Sequence, residues 1–145
     1  MKINYHNLEK KINLKFKNKN LLTQSLTHKS FNPNDNNEKI EFLGDRVLGL
    51  VIAKKLLEIY PEEKEGILDK KFASLVNKNT CLDIAKKINL ASYIKTFNPK
   101  NKKIKIEDKI ISDSCEALIG AIYLDKGFAV AEKLILNLWS DHIEK

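Results

Sequence analysis

The stretch Glu38-Lys-Ile-Glu41-Phe-Leu-Gly-Asp45-Arg-Val-Leu-Gly-Leu50 decides how this chain folds. It opens a segment with apolar residues at Leu43, Val47, Leu48, Leu50, Val51, Ile52, Leu56 and Leu57, stopped by Pro61. That spacing predicts one long helix from about Asn37 to Tyr60, with an apolar stripe wide enough to be buried on most sides. Glu41 and Asp45 lie inside it, four residues apart, so they share a face with Cβ atoms roughly 5–6 Å apart. A second stretch repeats the theme. In Ile111-Ser-Asp113-Ser-Cys-Glu116-Ala-Leu-Ile-Gly-Ala-Ile-Tyr123 the acids are three apart, again on one face. Carboxylates are seldom buried unless paired or bound to a cation. Two such pairs in core-forming sequence point to a site for hard, oxygen-preferring cations.

Helical periodicity also governs the remaining sequence, and no run alternates with period two. Asn7–Leu14 and Asn20–Leu26 read as short helices, and Phe31–Asn37, with Pro33, as a loop. Helices are expected over Ile67–Asn77 and Thr80–Ile88, the latter capped by Thr80. Phe97–Asp108 is rich in lysine and holds Pro99, which predicts an exposed loop. The second acidic pair falls on a helix over about Lys109–Leu124. Asp125-Lys-Gly127 reads as a turn, and Ala129–Ile143 as a last amphipathic helix. Gly120, between Ala117 and Ala121, would let another helix approach closely. The expected fold is all-α.

Composition sets outer bounds. A chain of 145 residues, 43% hydrophobic and 31% charged, is the profile of one globular domain. The net charge of +7 favours polyanionic partners. AT-rich codons would give the same wealth of Lys, Asn and Ile, so charge alone does not decide. Cys81 and Cys115 form no metal-binding pair and are expected as buried, reduced thiols, and the three histidines lack zinc spacing. No signal-peptide pattern and no apolar run of membrane-spanning length occurs. A cytoplasmic protein without membrane contact is expected.

The stretch Glu38–Leu48 resembles the signature of the ribonuclease III family. Leu26-Thr-His-Lys-Ser30, Ala73-Ser-Leu-Val-Asn77, Ile111–Asp125 and Gly127-Phe128 agree in order. The resemblance runs from about Leu8 to Ile143. It implies that Glu41, Asp45, Asp113 and Glu116 are metal-binding catalytic carboxylates, that Glu38 and Glu65 are accessory acids, and that Phe42 anchors a homodimer. It also implies an all-α endonuclease domain that cuts both strands of double-stranded RNA and leaves short 3′ overhangs. Arg46, Phe72 and Lys126 depart from the family's usual residues, and none of them is one of the four acids. Members of the usual bacterial class continue into a double-stranded-RNA-binding domain. Residues 1–145 are therefore expected to be the catalytic domain alone, with that second domain absent from this chain.

The chemistry suits the residues. Two divalent ions about 3.5–4 Å apart can activate water, neutralise phosphate charge and support a leaving 3′ oxygen. An all-oxygen donor set selects Mg²⁺, with Mn²⁺ as a substitute, and no small-molecule cofactor is called for. Lys100, Lys102, Lys103 and Lys105 are candidate phosphate contacts, although a solvated lysine loop explains them as well. Spacing alone would make each acidic pair an ordinary solvated helix face more often than a metal site. His28 and Ser30 read as a structural turn. Two rivals remain: a catalytically silent RNA-binding protein of the same fold, and a helical scaffold with incidental acids.

Overall fold

A computed structural model describes residues 3–97 and 105–144. Lys100, Lys102 and Lys103 lie outside the described residues. Among the described residues eight α-helices follow in order: α1 (His6–Ile12), α2 (Lys19–Ser25), α3 (Glu38–Ile59), α4 (Glu65–Val76), α5 (Lys78–Lys87), α6 (Asp108–Lys126), α7 (Phe128–Leu138) and α8 (Ser140–Ile143), with a 3-10 turn at Leu90–Tyr93. No strand forms among the described residues, and a single bridge joins Thr27 to Lys95. The expected all-α class is what the chain adopts.

The two long helices, α3 and α6, form the centre, and the others pack around them. Their crossing depends on two glycines. A Cβ on Gly44 would land on the carbonyl of Glu116, and one on Gly120 would land on the carbonyl of Ile40. Backbone therefore meets backbone where any side chain would hold the helices apart. Asn37 reinforces the contact: its buried amide donates to the Ser25 carbonyl (3.1 Å) and to Ser114 Oγ (3.3 Å). Trp139 closes the far side, fully buried, with Nε1 donating to the Leu75 carbonyl at 2.8 Å.

Several expectations are corrected. Asn77, not Thr80, caps α5, because its side-chain oxygen accepts the Thr80 N–H at 2.9 Å. Asp125 and Lys126 belong to the last turn of α6, and Gly127 at φ 90° ends it. Burial opposes ionisation of Asp125, but its carboxylate accepts the Lys17 and Asn18 N–H groups and is held below the usual range. The segment read as one helix over Ala129–Ile143 breaks at Trp139 into α7 and α8.

The helix α3 is also less enclosed than its composition predicts. Leu50 is 58% exposed and Leu57 60%, on the side of the helix that also bears Phe42 at 62%. The stripe is broad because it serves two faces, and only one of them meets the core.

Gly44→Ala or Gly120→Ala should force α3 and α6 apart and cost about 1–3 kcal/mol. Thermal melts followed by circular dichroism would show it as a lowered midpoint. Gly66→Ala is the control, since a Cβ there meets nothing within 4 Å, and it should melt no lower than the unaltered chain.

Candidate functional site

The glycine crossing draws three acids from two helices into one cluster. Glu41 on α3 and Asp113 and Glu116 on α6 each present an oxygen, and these atoms lie within 4.8 Å of one another. All three side chains are half-buried. The burial and the crowding raise the cost of ionising Glu41 and Glu116. Burial, then the neighbouring Asp113 charge, pushes the Glu41 carboxyl up to about 7. Burial, then a hydrogen bond with Asp45, pushes Glu116 up to about 9.

Asp45, the fourth predicted acid, is more exposed and lies outside that tight group. It reaches Glu116, and it also takes a 3.4 Å contact from the guanidinium of Arg46. Arg46 lies 3.9 Å over the Phe42 ring and donates to the Phe42 carbonyl at 3.3 Å. Phe42 is therefore an exposed ring held from its own chain by a cation.

A cavity of about 670 Å³ adjoins the cluster, lined in part by Glu38, Glu41, Lys105, Lys109 and Asp113. The predicted accessory acid Glu38 is exposed on its wall, 3.8 Å from Lys29. Glu65, the other, opens α4, is exposed and is not part of the lining. Of the four candidate lysines, the described one, Lys105, is exposed at the cavity.

His28 and Ser30 make the turn expected of them. The Ser30 N–H donates to His28 Nδ1 at 3.1 Å, and the Ser30 hydroxyl oxygen lies 2.8 Å from the same nitrogen. The same hydroxyl oxygen accepts the Phe97 N–H at 3.0 Å. This network fixes one wall of the cavity. Cys81 and Cys115 are buried and reduced, and desolvation pushes the Cys81 thiol up to about 12 and that of Cys115 well above its ordinary value. Both are poor nucleophiles there.

One charged residue escaped the reading of the sequence. Lys109 Nζ donates to Asp113 Oδ2 at 2.6 Å. That hydrogen bond, with the charges of Asp113, Glu41 and Glu116, raises the Lys109 ammonium above its ordinary range. The signal available was its i,i+4 offset from Asp113.

Among described residues no helix is long and apolar enough to cross a membrane. The family profile described as Ribonuclease-III-like matches residues 18–142. A ribonuclease 3 of Pelagibacter ubique is 70% identical over 143 residues, covering 99% of this chain and 64% of that protein. One from Sulfurovum is 42% identical over 135 residues, covering 92% of this chain and 60% of its own length. The chain thus spans less than two thirds of the length of these relatives. A 2.2 Å crystal structure of the nuclease domain of ribonuclease III from Campylobacter jejuni is similar at a TM-score of 0.90 and 41% identity, covering 100% of this chain and 99% of that one. A second structure of that nuclease domain, described for flexibility in the region involved in dimer formation, gives a TM-score of 0.92 at 40% identity, covering 98% of this chain and 100% of its own. By profile, sequence and fold together, the chain belongs to the ribonuclease III family.

Proposed function

We propose that this chain is the catalytic domain of a cytoplasmic, homodimeric endoribonuclease that cuts double-stranded RNA. It leaves 5′-phosphate and 3′-hydroxyl ends with short 3′ overhangs and matures ribosomal and other precursor RNAs. The observation that carries this is the convergence of Glu41, Asp113 and Glu116 within 4.8 Å, from helices far apart in sequence.

The donor chemistry fits a divalent cation. Three carboxylates are gathered in a half-buried cluster where burial, and then the neighbouring acids, raise the cost of ionising Glu41 and Glu116, a cost that a bound cation would offset. Glu41, Asp113 and Glu116 would hold the ion, with Asp45 completing the set. When bound, Mg²⁺ or Mn²⁺, as a pair of ions, supplies charge neutralisation and activation of water for phosphodiester hydrolysis. The chain's own residues do the rest. Lys29 and Lys105 at the cavity give sequence-tolerant, salt-sensitive attraction for phosphates, and duplex RNA is recognised largely through its backbone and 2′-hydroxyls. The apolar face of Phe42, Leu50 and Leu57 suits burial against a second copy.

Asp45→Asn and Glu116→Gln should each abolish cutting of a duplex RNA hairpin in Mg²⁺ while leaving the fold intact. Gel analysis with end-mapping reads this, and full cutting by either variant would remove that acid from the reaction. An unaltered chain that binds duplex RNA but cuts none with Mg²⁺ or Mn²⁺ would favour the silent RNA-binding rival. Phe42→Ala should weaken the dimer by about 3–5 kcal/mol. Sedimentation over a concentration series would then show monomer where the unaltered chain is dimeric.

A pH effect follows with a definite sign. Glu41 and Glu116 have carboxyls raised by folding, so the folded chain binds more protons than the unfolded one. Their contribution is complete below about pH 4.5 and is lost as pH rises through about 7 for Glu41 and about 9 for Glu116. In EDTA the melting temperature should therefore fall between pH 6 and about 9. Glu116→Gln should flatten the upper part of that fall, and Mg²⁺ should offset it, most strongly at high pH.

A further inference from the structure

Lys109 stands where a helix least favours it. It is the second residue of α6, in the turn whose unpaired N–H groups carry the positive end of the macrodipole. The acid it meets lies four residues later, and basic-before-acidic is the weaker order for such a pair. Helix stability therefore gives no reason for a lysine here. Its surroundings do. The ammonium lies 2.6 Å from Asp113 Oδ2, and Asp113 is one of the three acids gathered within 4.8 Å. The Lys109 side chain is 72% exposed, whereas that of Asp113 is 25% exposed, so the lysine can swing out without disturbing the core. Arg46 makes a looser contact of the same kind at the other pair, 3.4 Å from Asp45 Oδ2.

We infer that Lys109 is the built-in counter-ion of the acid cluster. It neutralises Asp113 while no divalent ion is bound, and an arriving ion displaces it. Lys109 is thus a positioning residue that keeps the acids gathered beforehand and raises the concentration of metal the site needs. This rests on reading the acids as a divalent-cation site, and the experiment separates the two.

The test uses the whole chain without RNA, titrated with MnCl₂ and followed by the manganese paramagnetic resonance signal, with a parallel MgCl₂ series read by melting temperature. Lys109→Gln should bind with a half-saturating concentration roughly threefold lower or more, the scale of an exposed ion pair. It should also melt lower than the unaltered chain in EDTA. Lys109→Arg, which keeps the charge, should behave as the unaltered chain. The gap between Lys109→Gln and the unaltered chain should narrow as KCl is raised. Equal or weaker binding by Lys109→Gln overturns the counter-ion role while leaving the acids as the metal site. If no form of the chain binds either ion, the reading of the acids fails and the role of Lys109 fails with it.

Discussion

Everything at this site depends on the close crossing of α3 and α6. That crossing brings the Glu41 carboxylate on α3 against those of Asp113 and Glu116 on α6. Gly44 and Gly120 supply that approach, each placing bare backbone against the partner helix. Glu41 precedes Gly44 by most of a turn and Glu116 precedes Gly120 by a full one. The residues that permit contact and the residues that use it are therefore set in the same two turns. The buried Asn37–Ser114 hydrogen bond, one turn before Glu41 on α3 and next to Asp113 on α6, adds a polar restraint that a purely apolar contact would lack.

That arrangement is costly before any cation arrives. Half-buried acids repel one another and resist ionisation, as the raised carboxyls of Glu41 and Glu116 record. Apolar packing around them has to absorb the cost. On α6 the residues next to the acids are buried: Ser112, Ser114, Cys115 and Ala117. They pin the helix so that Asp113 and Glu116 cannot rotate away from Glu41 on α3. A domain with weaker packing here would relieve the repulsion by separating its helices.

Much of this was legible in the sequence, and the rest failed for physical reasons. The long apolar periodicities gave α3 and α6 to within a few residues, and the i,i+4 and i,i+3 offsets put each acid pair on one face. Spacing could not say that the two faces would meet, because that depends on the helix crossing. Gly120 was readable as a point of close approach, but Gly44 was not, since its requirement lies in the carbonyl of Glu116 on another helix. Thr80 looked like a cap by residue type, yet Asn77 has the extended backbone and the reach to accept the Thr80 N–H. The breadth of the α3 stripe predicts enclosure. Composition does not distinguish a helix buried on all sides from one that presents a second apolar face to solvent, and Leu50 and Leu57 belong to that second face.

The two faces of α3 are not independent. Glu41 and Phe42 are consecutive, so the acid turned toward α6 and the exposed ring share one stretch of backbone. Arg46 joins them more directly, with its guanidinium over the ring, its Nη1 on the Phe42 carbonyl and the same nitrogen near Asp45. Anything that covers Phe42 must accommodate or move this cation, and moving it alters the charge that Asp45 experiences. Residues sharing a partner in this way do not contribute additively. Loss of Phe42 therefore reaches the acids through Arg46 as well as through any effect on assembly. Activity measured on a Phe42 variant alone mixes the two, and a cycle of the Phe42, the Arg46 and the doubly altered chains separates them.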